Sequence, residues 1–174
     1  MHTLLAALGI LAAAAFWIYR NRQSVDSPQD VSDAPQDLKA AALKFGYRPY
    51  PDQHASECVD DPRITGAAVL VLVAETDGGI STAEQVAILQ KLQTVFQMSG
   101  SDADELFMFA KWLASQNNNP DDMIQRLIRR TVDLGGRDIL PDMIAMVRAV
   151  GEADTGTITD DTAQVIEKLK QLSG

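Results

Sequence analysis

Two short acidic phrases hold carboxylates at defined spacing: Glu75 and Asp77 ahead of Gly78 and Gly79, with Glu84 beyond, and Glu152 and Asp154 ahead of Gly156. Hard divalent cations take oxygen ligands, so these five side chains, brought together, would hold calcium or magnesium. The same negative surface would suit a basic segment of a partner protein. In the first phrase Glu75, Asp77, Gly78, Ile80 and Glu84 fall on positions three, five, six, eight and twelve of an EF-hand loop. Position one falls on Val73, where that loop requires its first carboxylate, which argues against a true EF-hand. In the second phrase Gly156 and Ile158 fall out of register with the acids.

The plainer reading of the same residues is architectural. Each phrase leaves an apolar segment, turns at glycine and restarts behind a hydroxyl residue able to cap the next helix. Ser81 and Glu84 have the spacing of a capping box. On this reading the remaining carboxylates are solvated, and neither a cation nor a partner is needed to explain them.

Other residues offer less. His54 and Cys58 are four apart, with Asp60 and Asp61 nearby, but two ligands in an irregular segment do not make a zinc site, and no third group orients them as a nucleophilic pair. Arg126, Arg129, Arg130 and Arg137 form a local basic cluster, able to face anionic lipid or to pair with surface carboxylates; pairing is the expected use. Met98, Met108, Met123, Met143 and Met146 are spread as core filler would be. The chain has no phosphate-binding glycine loop, zinc motif or nucleophile elbow, so neither an enzyme nor a small-molecule substrate is expected.

The elements that must position these residues read as helices. Asp61 and Pro62 supply a capping carboxylate and a proline at a first helical position. The run Val69 to Val73 favours a strand by propensity, yet it is apolar on all sides and only helical patterns follow it, so a buried helix is expected over 61–74. Ile88, Leu89, Leu92, Val95 and Phe96 mark a helix over 82–97, and Ser101 starts another carrying Leu106, Ala110 and Leu113. Ile124, Leu127, Ile128 and Leu134 give the next, ending at Gly135 and Gly136; Leu140 to Val150 and Val165 to Leu172 give the last two. The expected fold class is therefore all-α, a compact bundle of six helices over 61–174, or seven with a short helix at 38–45.

At 174 residues there is room for one core with appendages. A net charge of -9 excludes a nucleic-acid partner, since phosphate contacts need a basic surface. The single cysteine, Cys58, excludes an internal disulfide framework. Residues 3–19 carry no charge and end with Trp17 and Tyr19 ahead of Arg20 and Arg22. As a helix they would span roughly 25 Å, a little under a bilayer core of about 30 Å. The expected arrangement is a membrane anchor over 1–19, a mostly disordered linker over 20–60 and the helical domain over 61–174. The arginines place the N-terminus outside a bacterial-type inner membrane and the domain on the cytoplasmic side. The alternative is export after cleavage behind Ala15, for which Ala13 and Ala15 are the small residues required.

The first acidic phrase, with Ser81 and Glu84, resembles the acidic joint of TerB-like domains, a family named for a tellurite-resistance protein and also similar to the N-terminal domain of membrane-anchored DnaJ-like co-chaperones. The resemblance extends over 61–174 and implies a helical protein-interaction module with a second joint near its end, here at Glu152 and Asp154. It further implies association with tellurite-type or envelope-stress resistance, or with chaperone systems, while the identity of the protein partner stays open. Two departures stand out: Thr155 replaces Gly78, and Asp160 or Asp161 takes the place of Glu84. No J domain follows, so direct co-chaperone activity is not expected.

Overall fold

Asp61 accepts a 2.9 Å hydrogen bond from the backbone N–H of Arg63, and Pro62 opens the helix α2 (Pro62–Glu75) around which the other helices are assembled. The computed structural model describes residues 35–76 and 78–173. The expected anchor at 1–19, the alternative cleavage behind Ala15, the first part of the linker and Asp77 lie outside the described residues. Among the described residues no helix is long and apolar enough to cross a membrane.

Every residue from Ile64 to Ala74 is buried. That settles the conflict between β-propensity and context over Val69 to Val73: a helix lets one segment bury its whole circumference against several neighbours. α2 packs chiefly on α4 (Gly100–Ala114) and α5 (Pro120–Gly135), then on α6 (Leu140–Gly151), with α3 (Thr82–Val95) and α7 (Asp160–Ser173) touching it more lightly. Its one polar contact of note inside the core joins α2 to α5. The hydroxyls of Thr65 and Thr131 lie 2.7 Å apart, each also within reach of a carbonyl of its own helix, Pro62 or Leu127.

The outer helices present one stripe each. α3 buries Ile88 and Leu92 and packs on α4 and α6. α4 starts at Gly100, one residue before the expected start at Ser101, because Ser99 is its cap, accepting from the N–H of Asp102 at 3.1 Å. Asn119 caps α5 in the same way, and a short 3-10 helix, Arg137–Ile139, leads into α6. α6 and α7 form a closely packed pair at the end of the chain.

One difference from the expected organisation concerns residues before Asp61. The short helix expected at 38–45 is present as α1 (Gln36–Lys44), but it is packed rather than part of a loose linker: it buries Ala41 and Ala42 and lies against α4, where the ammonium of Lys44 meets Asp102 and Glu105. Beyond it the chain carries a 3-10 helix, Ala55–Cys58, and buries Tyr47, Cys58 and Val59. Tyr47 meets Phe109 and Trp112 of α4 edge-on, at ring-centroid distances of 5.5 and 5.2 Å. The guanidinium of Arg130 on α5 donates to the carbonyl of Val59 at 2.8 and 3.0 Å. The expected domain start at Asp61 therefore falls inside the packed body, which reaches back to Gln36. Pro49, Pro51 and polar residues separate the few apolar side chains that pack here, so they form no helical or strand period.

Candidate functional site

The first acidic joint is a turn between α2 and α3. α2 ends at Glu75, and the hydroxyl of Thr76 donates back to the carbonyl of Val73 at 2.8 Å. Gly78 and Gly79 take φ of +104° and +136°, a region that side-chain-bearing residues rarely adopt. α3 then opens with a complete capping box: the Ser81 hydroxyl accepts from the N–H of Glu84 at 3.2 Å, and the Glu84 carboxylate accepts from the N–H of Ser81 at 2.8 Å. Glu84 is only 8% exposed, so its carboxylate is committed to the cap. Replacing Ser81 with alanine is expected to destabilise the protein by about 0.5–2 kcal/mol, read as a lowered urea midpoint with unchanged slope.

The second joint is built differently. Glu152 follows the last turn of α6 and pairs with Arg148 at 3.7 Å, Asp154 is exposed, and Gly156 makes the turn. Thr159 caps α7, its hydroxyl accepting from the N–H of Thr162 at 3.2 Å. Of the five predicted residues, Glu84 is thus held in a cap, Glu152 is paired with an arginine, and Asp77 lies outside the described residues. Among the described residues no group of three or more histidine, cysteine, aspartate or glutamate side chains is placed to hold a metal ion.

Glu75 instead faces a different set. It lines a groove of about 290 Å³ between the end of α2 and the starts of α5 and α7, together with Asp121 and Asp161. Leu72, Ile124 and Val165 supply an apolar floor, and Lys168 stands on the wall. Glu75 is exposed by area, yet the surrounding protein thins the water around its carboxyl and pushes its pKa above the ordinary 4.5, with Lys111 pulling the other way. Asp161 had a sequence signal, as the counterpart of Glu84 in the second phrase. Asp121 had none, since nothing local says that the start of α5 meets the end of α2.

The basic cluster divides. Arg126 pairs with Asp122 at 2.9 Å and reaches Glu57 at 3.9 Å, and Arg130 pairs with Asp60 at 3.1 Å. Arg129 and Arg137 make no ion pair among the described residues. Nδ1 of His54 accepts from the N–H of Ser56 at 3.3 Å, capping the 3-10 helix; burial, followed by the charge of Arg126, lowers the pKa of this histidine. Cys58 is buried in the core as a free thiol.

Among known families, the one described as tellurite resistance protein TerB matches residues 63–173. No curated protein and no solved structure matches the chain.

Proposed function

We propose, from the premise that this chain belongs to the TerB family, that it is a module of the tellurite-resistance type which holds a partner protein close to the cytoplasmic face of a membrane. The observation that carries this reading is the groove at the first joint. It has an apolar floor and a rim of carboxylates that make no ion pair among the described residues, the properties of a contact surface for another chain. The uncharged stretch at 3–19, followed by Arg20 and Arg22, supports the membrane tether and its orientation. Tethering raises the effective concentration of the domain for partners on the same bilayer.

The test is photo-crosslinking in intact cells, with the reactive side chain at Gln164 on the groove wall, followed by carbonate extraction of the membranes. The expected result is a small set of recurrent adducts in the membrane pellet, together with poorer growth on tellurite when the chain is deleted. Release of the chain into the carbonate supernatant would remove the tether, and absence of any adduct would remove the interaction module.

A further inference from the structure

Two stripes of polar side chains border the seam between α5 and α7, and both read acid, amide, base along the chain. On α5 they are Asp121, Gln125 and Arg129; on α7 they are Asp161, Gln164 and Lys168. Spacings of three and four residues keep each stripe on one face of its helix. The two helices run side by side in the same direction. Asp121 and Asp161 line the groove described above, and Arg129 and Lys168 line a second one, of about 270 Å³, further along the seam. No carboxylate lines that second groove. The face is thus negative at one end and positive towards the other, on both helices.

None of these four charges makes an ion pair among the described residues. On the neighbouring stripe of α5, Asp122 and Arg126 stand one turn apart and pair at 2.9 Å. Asp121 and Arg129 are two turns apart, about 12 Å along the axis at about 1.5 Å per residue, too far to meet. Asp161 and Lys168, about 10 Å apart on the same measure, are in the same position. A face that carries charge in this order is complementary to its own reverse, so a second copy can supply what the chain itself cannot.

We infer that the face formed by α5 and α7 pairs with the same face of a second copy of this chain, about a two-fold axis that crosses both helices at Gln125 and Gln164. α5 then lies antiparallel on α5 of the second copy, and α7 on α7. Asp121 meets Arg129 of the second copy, Asp161 meets its Lys168, and symmetry makes each contact twice. Gln125 and Gln164 face their own counterparts, which suits an amide because it both donates and accepts. An axis parallel to the helices would instead lay acid on acid, so the charges select one orientation. Exposed ion pairs are weak singly, so the association is salt-sensitive and draws on the shared tether to the bilayer. This rests on the reading of this face as a contact surface and names its occupant.

The test is disulfide crosslinking of the full chain in membranes from producing cells, read on non-reducing gels after mild oxidation. Cys58 is buried, so a cysteine introduced on the surface is the reactive one. Gln125→Cys and Gln164→Cys are each expected to give a homodimer, less of it as salt is added, and Val86→Cys, exposed on α3, is expected to give none. In the Gln125→Cys background, Arg129→Asp should lower the dimer fraction about fivefold, and adding Asp121→Arg should restore it to within about twofold. Restoration cannot come from folding, because an arginine in the first turn of α5 opposes the helix dipole. No dimer from Gln125→Cys, an equal amount from Val86→Cys, or no recovery in the charge-swapped variant would each overturn the proposal. If photo-crosslinking at Gln164 captures other proteins while no homodimer forms, the interaction module stands and a second copy is not its occupant. If it captures nothing, the module itself falls.

Discussion

Phe109→Ala should destabilise the protein by about 3–5 kcal/mol, the range for removing a large aromatic side chain from a packed interior. Phe109 has no exposed surface, stacks on Trp112 at a centroid distance of 5.5 Å and meets the edge of Tyr47 at the same distance. Stabilities of domains this size run to about 5–15 kcal/mol, so the loss is a large part of the total. The measurement is equilibrium unfolding in urea in a Trp17→Phe background, followed by Trp112 fluorescence and by far-ultraviolet circular dichroism. A single transition at lower midpoint in both signals is expected, because the aromatic cluster joins the segment before Asp61 to the main bundle. Two separated transitions would mean that residues 36–60 fold apart from the rest. Lys44→Ala provides the contrast: it removes an exposed contact to Asp102 and Glu105 and should leave the midpoint nearly unchanged.

Gly151→Ala should destabilise by about 1–3 kcal/mol although it adds a single methyl group. A Cβ at this position would stand 2.6 Å from Cγ2 of Thr162 and 3.2 Å from its Oγ1. Thr162 cannot simply turn aside. It is buried, its χ1 is restricted by branching, and its hydroxyl and N–H both face Thr159 at the start of α7. The methyl group must therefore push α7 away from α6, which are packed closely here. Paired variants provide the check. Thr162→Ser removes the obstructing methyl, and in that background Gly151→Ala should lose most of its effect, a coupling that a double-mutant cycle in urea would read directly.

The parts of the molecule that could be read in the sequence are those fixed by neighbours along the chain. Ser81 and Glu84 announce a capping box because both halves of it lie within four residues, and the structure forms it. The helix at 61–74 was legible through the Asp61 and Pro62 start and through the absence of any partner strand, in spite of the run of valines. The start of α4 lies one residue before Ser101 because Ser99, outside the expected helix, is the residue whose hydroxyl caps it. Residues 47–60 were illegible for a different reason: Tyr47, Cys58 and Val59 are buried through contacts with α4 and α5, at a distance in sequence that no local period records. The acidic residues divide for the same reason. Glu75, Glu84, Glu152 and Asp154 look alike as acidic residues beside turns, but a cap takes Glu84, Arg148 takes Glu152, and the groove adds Asp121 and Asp161 to Glu75 from two other helices.

That the packed body begins at Gln36 shortens the tether proposed above. With the anchor proposed above ending at Tyr19, about 16 residues separate it from the bundle, and at no more than roughly 3.6 Å each they reach at most about 60 Å. A connection running to Asp60 would have more than doubled that radius. On the proposed anchor the domain would stay within that distance of the bilayer, and a chain that meets it would have to project into that layer or be embedded beside it.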